Sequence, residues 1–312
     1  SMHRTLPCCA ACSTTSADDV SGAFLLPAIT TIALGAAVGL VRWPLRPMLA
    51  ARVLTAIAVV VAATAATVLG VVAVGFAARS ALVLSVIEWC PVVPLHHQVG
   101  VLEGCLAAVA LAAATIRIRR VLRSRRRASE GTEGRRLVVV DAVEPIAYAA
   151  PGDPGCVVVS RGLLDVLEPR ERQVVLAHER AHLYHGHHRY LLAGEIAVAI
   201  VPFLGPLVGQ IRLATERSAD ESAAEALGGD RRLVARTIAR AAITRTVHDG
   251  LVGAFGGASV PARVQALIGP PQNPALTVAA FPVIAATAAA TVLAGSVQVH
   301  HVVELIEHVC GL

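Results

Sequence analysis

The 312-residue sequence contains no lysine; all 27 of its basic side chains are arginine. It is also short of aromatic residues, at 3%, and of charged residues, at 16%, while 55% of it is hydrophobic. Each shortage excludes something. Catalytic motifs built on lysine, such as Ser-x-x-Lys, are ruled out. A water-soluble domain needs more polar surface than this, so the chain as a whole falls in the membrane class. The arginines are not interleaved with aromatic rings that could stack on bases, so direct nucleic-acid binding is not expected. The seven cysteines form no disulfide framework. Cys8, Cys9 and Cys12 sit in what reads as a flexible leader, and Cys90, Cys105, Cys156 and Cys310 are scattered.

The apolar excess lies in long runs. Residues 22–41, 53–78, 99–118 and 275–295 each come close to the roughly 20 residues that cross a bilayer core. The first is too long for the apolar region of a cleavable signal peptide. Arg42, Arg46 and Arg52 separate the first two runs, Arg79 alone follows the second, and "RIRRVLRSRRR" (117–127) follows the third. The positive-inside rule then predicts an extracytoplasmic leader (1–21) and three transmembrane helices within 22–118, joined by an outer loop at 79–98. A cytosolic domain at 119–274, a fourth transmembrane helix at 275–295 and an extracytoplasmic tail at 296–312 complete the expected order. Anionic lipid headgroups are the expected partner of the arginine cluster. His96, His97, His300, His301 and His308 fall on the outer side, where histidines are ordinarily solvated.

The cytosolic part reads as a small α/β unit. "RLVVVD" (136–141), "IAYAA" (146–150) and "CVVVS" (156–160) are predicted strands, the last two joined by the turn "PGDPG". Predicted helices follow at "RGLLDVL", "PRERQVVLAHERAHLYH", "IRLATERSADESAAEAL" and "RRLVARTIARAAITRTV". The second of these holds His178, Glu179 and His182 in the pattern HExxH. Residues four apart share one helix face, so both imidazoles can meet one Zn²⁺, with Glu179 beside them as a general base. A third ligand is needed. Glu216 and Asp220 have the same i, i+4 spacing, which predicts Glu216 as the ligand and Asp220 as the acceptor behind a ligand imidazole. One zinc per chain is expected. If His182 and Glu216 share it, the apolar run 191–211 between them cannot cross a core of about 30 Å, and a hairpin turning at "PFLGP" is predicted. His185, His187 and His188 are expected to be solvated or headgroup-facing. Tyr184, His248 and Arg263 are all open as the group that stabilises an oxyanion.

"AYAAPGDPGCVVVSRGLLDVL", "LAHERAHLYHGHH" and "ERSADESAAEAL" together resemble the BlaR/MecR-type membrane metallopeptidases, and more distantly the HtpX and CAAX-protease type. The resemblance covers roughly residues 136–235. It implies a gluzincin-type zinc metallopeptidase domain; together with the four predicted spans, the expected fold is a mainly α membrane protein with four transmembrane helices and a cytosolic α+β gluzincin-type domain with a small sheet. The resemblance also implies that Ala147, Tyr148 and Ala149 form the edge strand on which a substrate backbone is laid. With no lysine in the sequence, acylation by a β-lactam through Ser-x-x-Lys chemistry is not expected. The expected function is zinc-dependent cleavage of a cytosolic protein, such as a winged-helix repressor in an envelope response. HtpX-like quality control and a non-catalytic receptor with a structural metal are the alternatives.

Overall fold

The structure, a computed structural model, describes residues 17–77, 100–129, 134–249 and 259–270, with the side chains of 17–28, 75 and 244–249 excepted. The predicted outer loop and the fourth apolar run lie outside the described residues. Helix α1 (Ala17–Leu40), α2 (Pro47–Ala77) and α3 (Val101–Ser129) come first. Two described stretches, Pro47–Val74 in α2 and Val101–Arg127 in α3, are long and apolar enough to cross a membrane. The arginine cluster after the third apolar run is helical and continues α3 without a break to Ser129.

A three-stranded sheet follows, made of β1 (Leu137–Val140), β2 (Ala147–Ala150) and β3 (Cys156–Ser160) in the order β1-β3-β2. β3 is antiparallel to β2, through the Pro/Gly turn, and parallel to β1. The strand properties match their places. β3 is buried at all five positions and central, whereas β1 alternates exposed and partly buried residues as an edge strand does. Ser160 closes the unit: its Oγ accepts from the Ile146 N–H (2.9 Å) and caps α4 (Arg161–Val166) through the Leu163 N–H (3.1 Å).

Helix α5 (Pro169–Tyr184) carries HExxH and is followed by α6 (His187–Ile200). The apolar run then breaks. Pro202–Leu204 form one 3-10 turn, Pro206 opens α7 (Gly205–Ala226), and α6 and α7 pack against each other and against α2. Pro202 and Pro206 supply no backbone donor, so a continuous spanning helix would be weakened at this point. A charge fixes the hairpin laterally. Glu195, midway along α6, accepts from Arg125 of α3 at 2.8 and 3.2 Å and from Arg212 of α7 at 3.1 Å. Arg117 of α3 donates to the Ala199 carbonyl at 3.4 Å, near the last turn of α6. Across from these, Gln210 of α7 donates to the carbonyls of Gly39 and Val41 at 3.4 Å. Gly39 is required there, because a Cβ would collide with the Leu207 backbone. The C-terminal end of α1, the N-terminal end of α2 and the arginine-rich end of α3 therefore gather around the hairpin.

Helices α8 (Arg231–Asp249) and α9 (Val260–Ile268) complete the described chain. Two main cores result. Leu45, Leu54, Val61, Leu204, Leu207 and Ile211 belong to one, built from α2, the hairpin and the end of α1. Val174, Ala223, Ala224, Leu233, Val234 and Leu267 form the other, where α5, α7, α8 and α9 meet. Helix α7 contributes to both, and the functional residues lie between its two contributions.

Candidate metal centre

The site depends on how firmly α5 is held. Pro169 suits the first turn, where no N–H is missed. Glu171 is fully buried, yet its carboxylate accepts from the Glu168 N–H at 3.0 Å and from Arg240 of α8 at 2.7 Å, with Arg236 at 3.6 Å. Burial alone would raise its pKa, but these partners carry it below the usual value. The helix stops at Gly186, whose φ of 63° is a left-handed conformation that glycine adopts without strain.

Against this helix α7 places its own acidic pair. His178 Nε2 and His182 Nε2 are 3.1 Å apart. Glu216 brings Oε2 to 3.5 Å from the first and Oε1 to 3.5 Å from the second. All three donor groups fall within 4.8 Å of one another. Ligands at 2.0–2.1 Å on a tetrahedral ion stand roughly 3.3–3.4 Å apart, so these three atoms have the spacing and the N/N/O chemistry that zinc takes. Asp220 is 1% exposed and its Oδ1 lies 3.0 Å from His178 Nδ1, on the side of the ring away from the cluster. Glu179 follows His178 on α5 and is partly buried.

Arg263 of α9 has a larger place than the sequence suggested. It binds both oxygens of Asp220, at 2.6 and 2.8 Å, and Glu216 Oε2 at 2.8 Å. Burial opposes its charge, but Asp220, Glu216 and Glu179 more than offset this and raise its pKa. Its guanidinium is thereby committed to the carboxylates. Of the other two oxyanion candidates, Tyr184 is 87% exposed, and the His248 side chain lies outside the described part.

The protonation pattern is uneven. Burial disfavours charge on His178, but hydrogen bonds and charge from Asp220 and Glu216 lift it to about 10. Burial and the neighbouring His178 push His182 down to about 3. Glu216 and Asp220 are both held below the usual carboxylate range despite burial, Glu216 chiefly by His178 and Asp220 chiefly by Arg263. Without metal, then, a proton on His178 lies between two carboxylates.

The histidines after the motif are not a solvated face. His187 was expected to be solvated or headgroup-facing, but it is fully buried, with its Nδ1 2.9 Å from His182 Nδ1. His185 is partly buried, and its Nε2 is 3.1 Å from Ser222 Oγ of α7. His188 is partly buried as well. A histidine-rich, basic stretch reads as a solvated face; the turn at Gly186 is what carries His187 back beneath α5. Ala147, Tyr148 and Ala149 lie on β2, which packs on α5 and, among the described residues, pairs with a strand on one side only.

Residues 114–246 match the model of peptidase family M48. That span contains His178, Glu179, His182, Glu216 and Asp220, and ends before Arg263. The protein described as protease HtpX homolog of Dictyoglomus thermophilum is 36% identical over 72 residues, which cover 22% of this chain and 24% of that protein. The aligned stretch thus spans about a quarter of the relative's length. No solved structure matches. Both matches support a metallopeptidase of the M48 kind, and neither distinguishes the BlaR/MecR type.

Proposed function

We propose that the protein is a membrane-integral zinc endopeptidase whose site faces the cytosol. The observation that carries this reading is the spacing of His178, His182 and Glu216 as three corners of a tetrahedron, with Glu179 adjacent. A zinc ion held there supplies a Lewis acid that acidifies water and polarises a peptide carbonyl. The chain's own groups do the rest. Glu179 takes a proton from the attacking water and passes it to the leaving amine. Asp220 keeps the Nδ1 proton of His178 hydrogen-bonded, leaving Nε2 free to ligate. Arg263 orients Asp220 and Glu216 together and balances their charge. The edge of β2 left unpaired among the described residues, at Ala147, Tyr148 and Ala149, belongs to a strand that packs on α5 and suits a substrate backbone added as a further strand.

The four-span topology with both termini outside belongs to the same proposal. Its support is that the arginine-rich end of α3, through Arg117 and Arg125, and the connection between α1 and α2 that carries Arg42 and Arg46 meet the hairpin that leads to the site. A structural, non-catalytic metal is less well supported: among the described residues only three donors converge, and His185 is turned to Ser222. Two substrate classes remain in this reading. Cleavage of a cytosolic repressor follows from the BlaR/MecR resemblance, and cleavage of damaged membrane proteins from the HtpX-like alternative, the type to which the matched protease HtpX homolog belongs by name.

The test is a comparison of cleavage products in native membranes between the wild type and Glu179→Gln. The variant is expected to keep its zinc and lose cleavage by at least about a hundredfold. Equal activity would refute the proposal. A single defined cut in a DNA-binding protein selects signalling, and many cuts in misfolded membrane proteins select quality control.

A further inference from the structure

The hydrogen bond behind His182 assigns a role to a residue outside the HExxH and ExxxD motifs. A neutral imidazole carries one ring proton, and ligation through Nε2 requires that proton on Nδ1. His182 Nε2 is the nitrogen turned toward His178 and Glu216, at 3.1 and 3.5 Å. Its Nδ1 is 2.9 Å from His187 Nδ1, a distance at which one nitrogen donates and the other accepts. With metal on Nε2, His182 must donate. His187 Nδ1 must therefore accept, and His187 must carry its own proton on Nε2, a buried atom that has no protein partner among the described residues.

The surroundings hold His187 for this task. It is fully buried at the start of α6. Its ring meets His182 edge-on, with centroids 4.8 Å apart and planes at 83°. On another side His185 stacks on it at 5.5 Å and 19°, and His185 is in turn anchored to Ser222, two residues beyond Asp220 on α7. The left-handed Gly186 lets both histidines of this pair pack under the end of α5.

We propose that His187 is a positioning residue for His182: it accepts the Nδ1 proton, fixes the metal-binding tautomer and sets the plane of the ring. It is the counterpart of Asp220 behind His178, but it is an uncharged acceptor where Asp220 is a carboxylate. The inference rests on the zinc reading above. The two ligand imidazoles are thus supported unequally, and His182 receives the smaller increase in basicity.

Zinc affinity and dissociation rate, measured on the full chain in detergent by competition with a chromophoric chelator, test this without recourse to activity. His187→Leu fills the space without an acceptor and is expected to weaken zinc binding ten- to a hundredfold. His187→Asn, whose side-chain oxygen can replace Nδ1, is expected to recover most of that loss. Native protein that binds no zinc would sink the metal-centre reading itself. Native protein that binds zinc while His187→Leu binds it as tightly, or while His187→Asn binds it as poorly as His187→Leu, overturns only the role given to His187. Because a buried substitution can prevent folding, the zinc-loaded native chain, labelled with ¹⁵N-histidine, provides a second measurement. A His187 protonated on Nε2 and accepting from His182 is expected, and the reverse tautomer contradicts the proposal.

Discussion

Replacing Asp220 by alanine should damage the metal site and the fold by separable amounts. Asp220 is 1% exposed and engages two groups at once: His178 Nδ1 at 3.0 Å, and Arg263 through both oxygens at 2.6 and 2.8 Å. Asp220→Ala leaves the guanidinium of Arg263, whose side chain is 12% exposed, with its ion pair to Glu216 and the nearby charge of Glu179. Breaking one side of a buried ion pair costs about 3–5 kcal/mol, and the bond kept to Glu216 places this case toward the lower end. The same change removes the acceptor that orients His178 and draws Arg263 onto a ligand oxygen. Zinc affinity should fall ten- to a hundredfold, about 1.4–2.8 kcal/mol. Adding Arg263→Met removes the stranded charge. The double variant should regain about 1–4 kcal/mol of stability over Asp220→Ala, since replacing both partners of a buried pair by apolar groups is tolerated, but it should not regain zinc affinity. Denaturant unfolding of the metal-free proteins and chelator competition measure the two quantities. A double variant less stable than the single one, or an Asp220→Ala protein with native zinc affinity, would refute this account of the site.

Three further outcomes follow from other parts of the molecule. The pKa of Glu171 is held below its ordinary 4.5, so its pairing stabilises the fold above about pH 4.5, and that stability is lost as pH falls through the lower folded value. Glu171→Gln should flatten the pH dependence of unfolding in that acid window, and an unchanged slope would count against the Glu171–Arg240 pair. Gly39→Ala would force the backbone of α1 away from Leu207 at the first turn of α7; a loss of about 1–3 kcal/mol is expected in thermal or denaturant unfolding. An Arg126→Cys reporter in an otherwise cysteine-free chain should react with a membrane-impermeant maleimide only after cells are opened, and labelling of intact cells would invert the proposed topology.

The parts of this site legible in the sequence were those encoded by local spacing. His178 and His182, and likewise Glu216 and Asp220, are each one helical turn apart, and the structure brings the two pairs face to face. The strands were equally local, since valine-rich runs and the turn "PGDPG" give β2 and β3 their character. That β1 pairs in parallel with β3, on the side opposite β2, has no local signature. Arg263 is 43 residues from Asp220 and lies in another helix, so no periodicity links them. His187 was concealed in a different way. Its neighbours are basic and polar, and only the reversal of the chain at a left-handed glycine makes its position an interior one. Ser222 and the Arg125–Glu195 pair likewise depend on helices that meet only after the apolar run has doubled back.

Helix α7 acts as a ruler. The same rigid rod that packs Leu207 and Ile211 into the apolar core beside α2 carries Glu216 five residues later, which at 1.5 Å per residue is roughly 7–8 Å further along its axis. A helix does not stretch, so the height of the metal ligands above that apolar layer is set by residue count alone. On the proposed function, a substrate peptide bond would have to be presented at that level, about two extended residues from the packed hydrocarbon side chains. Inserting or deleting a full turn between Ile211 and Glu216 would move that level by about 5.4 Å while keeping the carboxylate on the same face, so the working height of the site is written in the length of one helix.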